Sequence, residues 1–184
     1  MVIEIYIAIV TRNVNKMSEL EIENKIVNAA KSKFGDGLTD SKIERPRRVY
    51  LTLKKESILD GVSFLKKEFG GTHVSTITGL ETEESFEVLY HMATRPKGLG
   101  EVEIEVTVRV LLPKDNPTVT SITSVIPGAV LYEREVHDLV GINFEGHPGL
   151  SRLVLPDDWP DDLYPLRKER DVHEVKKAYE ESRK

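Results

Sequence analysis

A long alternation of apolar and polar residues in the second half of the chain restricts its fold more than any other feature. Apolar residues occupy every second position of one segment: Val102, Ile104, Val106, Val108, Val110 and Leu112. A period of two places side chains alternately on the two faces of a strand, so this segment predicts a β-strand with one buried face. A similar alternation over residues 86–92 and the turn residues at 95–98 predict an antiparallel hairpin.

Two helices and several shorter strands are predicted before this hairpin. The first helix runs from Ser18, which begins a capping-box pattern, to about Phe34, and Gly35 ends it. The second helix carries an apolar stripe and ends at Gly70. Alternating runs predict strands at residues 3–9, 49–53 and 74–77, whereas the polar residues 36–46 predict a loop. The fold class predicted is α+β, with helices on one face of an antiparallel or mixed sheet.

The composition changes at Pro113, after which proline and glycine recur. One helix fits between them, at about residues 129–140, and Gly141 ends it. Residues 142–170 are predicted to be irregular and extended, and we call this proline-rich segment the C-terminal arm. We therefore expect an α+β domain at 1–112, the helix and arm within 113–170, and a helical tail at 171–184. An extended arm with few core residues is typical of a segment that lies on a partner's surface.

The composition also excludes several classes of function. The formal net charge of −5 argues against general nucleic-acid binding. The chain has no cysteine, so it cannot supply a disulfide, a thiolate nucleophile or a cysteine ligand to an iron–sulfur cluster. Many charges and no cysteine are compatible with a thermophile. The apolar run at residues 2–10 is shorter than the ~20 residues that span a bilayer, so we expect membrane attachment only through partners.

Ionisable residues concentrate on the helix predicted at 129–140. Glu133 and His137 are four positions apart, as are Arg134 and Asp138, so each pair can meet on the helix surface. One interpretation is a metal or acid–base site formed by Glu133, His137 and Asp138, with His147. The interpretation favoured here is an ion-paired helix surface or interface, because no second metal-binding motif accompanies these residues.

The same helix begins an ordered string of residues that resembles one family. The string reads Glu133-Arg134-Glu135, Asp138-Leu139, Gly141-Ile142, Phe144, Gly146-His147-Pro148, Arg152-Leu153, Leu155, Asp157-Asp158-Trp159 and Pro165-Leu166-Arg167-Lys168. It resembles the 30-kDa subunit family of respiratory complex I, over about residues 56–170. His137, Val140 and the extra Leu163-Tyr164 make it most similar to the corresponding subunit of archaeal group 4 membrane-bound NiFe hydrogenases, or of their sulfane-sulfur reductase relative.

The resemblance implies a non-catalytic scaffold subunit in the cytoplasmic peripheral arm of a membrane-bound oxidoreductase complex. It would dock on a large NiFe-type catalytic subunit and a small iron–sulfur subunit, near a ferredoxin-like subunit, and reach the membrane ion-translocating subunits indirectly. No cofactor is expected in this chain; the NiFe centre and the iron–sulfur clusters would belong to the partners. One alternative is the equivalent subunit of a quinone- or F420-linked complex I. A free-standing metal-dependent enzyme using Glu133, His137 and His147 is the other.

The resemblance also implies which residues contact partners. Trp159 and Leu166 would be apolar anchors, and Arg134, Arg152, Arg167 and Lys168 would form ion pairs. The full predicted interface consists of Glu133, Arg134, Glu135, His137, Asp138, His147, Arg152, Asp158, Trp159, Pro165, Leu166, Arg167 and Lys168.

Overall fold

A computed structural model gives the fold of residues 20–96, 103–168 and 171–183. The strand predicted at residues 3–9 lies outside these ranges, and so do the start of the first helix, Val102, and part of the predicted hairpin turn. The elements described below begin at residue 20.

A five-stranded mixed sheet forms the centre of the molecule, with the strand order β1-β2-β5-β4-β3. All neighbouring strands are antiparallel except β2 and β5, which run parallel. The predicted hairpin is confirmed, since β4 pairs with β5 along its whole length. The strands are β1 (Leu38–Arg45), β2 (Arg48–Leu53), β3 (His73–Glu81), β4 (Phe86–Thr94) and β5 (Ile104–Leu112).

Helices pack on one face of this sheet. Helix α1 (residues 20–34) and helix α2 (Ile58–Phe69) bury their apolar stripes in a core shared with β2, β4 and β5. Helix α3 (Val130–Val140) lies against β3, where Gly79 leaves no room for a side chain beside Val136. Gly79 is opposite Val88, a core residue, so α3 is on the same face as α2. Within the described ranges, no helix has the length and hydrophobicity needed to cross a membrane.

The prediction of a loop at residues 36–46 is wrong, because residues 38–45 form the edge strand β1. This strand pairs antiparallel with β2, and the turn between them places Arg47 at a φ of 64°. Five of the eight side chains of β1 are exposed and none is fully buried. An edge strand with polar residues on both faces carries no alternating apolar signal, so the hydrogen bonds to β2 define it instead.

Two short strands bracket α3. β6 (Thr118–Thr120) pairs in parallel with β7 (Asn143–Glu145), and α3 is the crossover between them. The remainder of the arm up to Lys168 is irregular and is followed by helix α4 (Val172–Ser182). The extended course predicted for the arm is not confirmed, because residues 151–168 fold back on α3 through the hydrogen bonds described below.

Candidate partner-binding surface

Glu133 lies on the inner side of α3 and is 0% exposed. Its carboxylate accepts hydrogen bonds from the Ser121 hydroxyl at 2.6 Å and from the Ile122 backbone N–H at 2.8 Å. Burial raises the pKa of Glu133, although both hydrogen bonds act in the opposite direction. This residue fixes the segment that precedes α3 and has no surface through which it could contact a partner directly.

Asp138, in the last turn of α3, binds the backbone of the arm. Its Oδ2 atom accepts three backbone N–H bonds, from Leu153 at 3.1 Å and from Val154 and Leu155 at 2.8 Å. Burial favours the protonated acid, but the three N–H donors and the nearby Arg152 outweigh it and lower the pKa of Asp138. The carboxylate therefore stays ionised and sets the course of residues 153–155.

Arginine side chains complete the contact between α3 and the arm. Arg134 donates through Nε to the Ser151 carbonyl at 3.0 Å and through its guanidinium to the Arg152 carbonyl. Arg152 pairs with Asp161 at 2.7 Å. The pairing of Arg134 with Asp138 expected from their spacing is not formed, because both side chains bind backbone groups of the arm.

The C-terminal end of α3 is covered by residues 164–168. The Leu166 N–H donates to the Leu139 carbonyl at 3.1 Å, and Arg167 Nε donates to the Val140 carbonyl at 2.9 Å. The Arg167 guanidinium also lies 4.4 Å from the ring centroid of Tyr164. A cation at this position satisfies carbonyls that have no partner within the helix and complements the helix dipole. The N–H of Lys168 donates to Glu81 of β3 at 2.9 Å.

The two histidines near α3 have separate roles. His137 Nδ1 is 2.9 Å from the Ile142 carbonyl, which can only accept, so Nδ1 carries the proton. His147 accepts the Gly149 N–H at Nδ1 and donates from Nε2 to the Val130 carbonyl, both at 3.0 Å. Glu133, His137 and His147 are thus bonded to different groups. Nowhere in residues 20–96, 103–168 and 171–183 do three His, Asp or Glu side chains form a group that could hold a metal ion.

Trp159 contacts α4 in the isolated chain. Its indole N–H donates to the Leu163 carbonyl at 2.6 Å, and its ring stacks on Tyr179 with 4.7 Å between centroids. Tyr179 in turn donates from its hydroxyl to Asp158 at 3.2 Å. Trp159 is half-buried, so its role as a partner anchor stays a prediction.

Several large apolar side chains of α3 and the arm remain exposed. Leu166, which the sequence predicts as an anchor, is 59% exposed. The interface predicted from the sequence does not include Leu131, Leu153 and Val154, which are 55%, 41% and 54% exposed. The signal that could have found Leu153 and Val154 is an apolar pair inside a segment rich in proline and aspartate. Glu135 is exposed on α3, and Pro165 is half-buried beside Leu166.

Two known proteins resemble this chain in sequence, and one solved structure resembles it in fold. The chain is 31% identical over 146 residues to a subunit of the F420H2 dehydrogenase of Methanosarcina mazei, and the match spans 78% of this chain and 89% of that protein. It is 34% identical over 155 residues to formate hydrogenlyase subunit 5 of Escherichia coli, but that match spans 83% of this chain and only 26% of the longer protein. A chain of the archaeal membrane-bound sulfane sulfur reductase superposes with a TM-score of 0.68 and 27% identity, over 87% of this chain and 92% of that one.

The profile of one family matches most of the chain. Its description is the 30 Kd subunit of the respiratory-chain NADH dehydrogenase, and the match runs over residues 51–176. This range contains β4, β5, α3 and the arm, and the resemblance found in the sequence is confirmed. The chain belongs to the 30-kDa subunit family of the respiratory-chain NADH dehydrogenase.

Proposed function

We propose that this chain is a non-catalytic structural subunit of a membrane-bound oxidoreductase complex of the NiFe-hydrogenase type. It binds the large catalytic subunit and the small iron–sulfur subunit on the cytoplasmic side, through α3 and the arm. The chain has no cysteine to bind a metal cluster, so the NiFe centre and the iron–sulfur clusters belong to the large, small and ferredoxin-like subunits.

One observation carries this proposal: hydrogen bonds from α3 fix the backbone of the arm while its apolar side chains face outward. Asp138 holds the N–H groups of Leu153 and Val154, yet both side chains are more than two-fifths exposed. Leu166 is fixed in the same way through the Leu139 carbonyl. A surface that is ordered before binding loses little conformational entropy when a partner covers it. Exposed apolar groups on an ordered backbone favour a protein partner.

The relatives support a large-subunit partner. In formate hydrogenlyase subunit 5 the region similar to this chain makes up 26% of a longer polypeptide. A unit that is joined to a larger chain in one relative and separate in another is expected to pack on the counterpart of that larger chain. The sulfane sulfur reductase, whose chain has the same fold, is described as an archaeal respiratory membrane complex.

A second candidate is the equivalent subunit of a quinone- or F420-linked complex I. The observation that favours it is the match to the F420H2 dehydrogenase protein, which spans nearly the whole length of that relative. The surface formed by α3 and the arm can bind a partner in either complex. The two candidates therefore differ in the metal content of the large subunit rather than in this chain.

The test is affinity isolation of the tagged chain from gently solubilised native membranes, with identification of subunits and measurement of nickel. Co-isolation of a NiFe-type large subunit with nickel is the expected result. The same kind of partner without nickel would favour the second candidate or a sulfur-reducing relative. Recovery of the tagged chain without any partner, under solubilisation that leaves the membrane complexes intact, would contradict both candidates.

A further inference from the structure

A polar cavity of about 350 Å³ opens between α3 and the arm. The family role proposed above does not account for it, since the apolar contact residues lie outside it. Its lining includes His137, Asp138, Arg152, Asp161, Asp162 and Tyr164.

The side chains of this cavity present mainly hydrogen-bond acceptors. The Asp138 side chain is only 3% exposed, and its Oδ1 atom is paired, within the described part of the chain, only by the Arg152 guanidinium at 3.8 Å. His137 donates from Nδ1 to the Ile142 carbonyl, and in the neutral form of a histidine bonded this way Nε2 is a hydrogen-bond acceptor. Asp162 is exposed at the cavity, and the described residues provide it with no hydrogen bond or ion pair.

The charges of the lining do not balance. Asp138, Asp161 and Asp162 carry three negative charges, and Arg152 carries one positive charge, which leaves an excess of two negative charges. Arg152 is already shared between Asp138 and Asp161, so it does not neutralise Asp162. A concave site with surplus acceptors and surplus negative charge is complementary to a donor-rich cation.

We infer that this cavity receives an arginine side chain of the partner subunit, an inference that rests on the proposed function. A guanidinium offers five N–H donors in a planar fork, which suits several carboxylate and imidazole acceptors better than the compact ammonium of lysine. The volume accommodates a single side chain, and Tyr164, whose ring already carries the Arg167 guanidinium, forms part of the wall. The arginine fixes the orientation of the partner, while Leu153, Val154 and Leu166 supply apolar contact area.

Two aspartates of the arm provide a matched test. Asp162 lines the cavity, whereas Asp157 is an exposed aspartate of the same segment outside it. The tagged chain is isolated from solubilised membranes in three forms: wild type, Asp162→Asn and Asp157→Asn. The amount of partner subunit that co-isolates with each tagged chain is measured at a series of salt concentrations. Asp162→Asn is expected to lower retention about tenfold or more and to reduce its salt dependence, while Asp157→Asn behaves as wild type. Asp162→Glu is expected to restore most of the retention.

Equal retention by Asp162→Asn and Asp157→Asn, with the wild type bound to its partner, would overturn the inference and leave the proposed function intact. A wild-type chain that isolates without any partner would instead overturn the proposed function and the inference together. Thermal unfolding midpoints of both variants that equal the wild-type midpoint would show that a reduced amount of partner does not result from unfolding of the variant.

Discussion

Asp138 shows how one side chain determines the path of a segment without regular structure. Three consecutive N–H groups of the arm converge on one of its oxygen atoms. The spacing of Arg134 and Asp138 on the helix predicts an ion pair between them. That pair does not form because backbone groups of an irregular segment need hydrogen-bond partners, and both side chains supply them.

Replacing Asp138 by alanine is expected to destabilise the protein, because three N–H groups lose their acceptor. We expect a loss of about 1–3 kcal/mol in the free energy of unfolding at pH 7, measured by urea denaturation. Asp157→Ala, an exposed aspartate of the same arm, is the control and should change stability by less than about 0.5 kcal/mol. An Asp138→Ala variant as stable as this control would contradict the assigned role.

The pH dependence of this difference follows from the lowered pKa of Asp138. The pKa of Asp138 is lower in the folded protein than its ordinary value of 3.8, so at a pH between the two the unfolded state binds more protons. The stabilisation by the Asp138 carboxylate is therefore complete above pH 3.8 and is lost as the pH falls through the folded pKa. The stability gap between wild type and Asp138→Ala should therefore narrow in acid. A difference in unfolding free energy between the two proteins that increased at lower pH would contradict the lowered pKa of Asp138.

At the scale of elements, Gly141 joins the end of α3 to the arm. It has a φ of 81°, and a Cβ there would lie 2.6 Å from the Arg167 guanidinium and 2.7 Å from the Tyr164 ring. Gly141→Ala is therefore expected to cost more than about 1 kcal/mol in thermal unfolding and to lower hydrogen-exchange protection at Leu166. Gly128→Ala is the control, since nothing lies within 4 Å of its Cβ position. Equal effects of both substitutions would exclude this steric explanation.

The ends and types of the helices could be predicted because glycines and apolar spacing mark them locally. Gly70 and Gly141 both adopt the left-handed conformation where the sequence predicts a helix to stop. The edge strand β1 could not be predicted, because none of its residues is fully buried and only Leu38 and Ile43 pack against the core. The parallel pairing of β2 with β5 also leaves no local pattern, since it joins segments far apart in the sequence. For the candidate site, the resemblance identified α3 and the arm, but no local pattern in the sequence indicates that Glu133 is buried.

At the scale of the whole molecule, two exposed apolar surfaces can be compared directly. Val154 and Leu166 lie on the proposed partner surface, whereas Leu111, 44% exposed, lies on the strand β5. Val154→Ser combined with Leu166→Ser is expected to leave the thermal midpoint nearly unchanged and to reduce the amount of co-isolated large subunit about tenfold or more. Leu111→Ser is the control and should retain the partner. Loss of partner from both variants alike would contradict the placement of the interface.

The parallel pairing of β2 with β5 also has a consequence for biosynthesis. Val49 pairs with Val106, so the ribosome makes β1, β2, α2, β3 and β4 before the strand that joins the two halves of the sheet. Until β5 emerges, the edges of β2 and β4 that it will occupy are unpaired. The arm comes later still, and it bonds to Glu81 on a finished sheet. A nascent chain therefore completes its five-stranded sheet before α3 and the arm can present a binding surface, which separates sheet formation from recruitment into a complex in time.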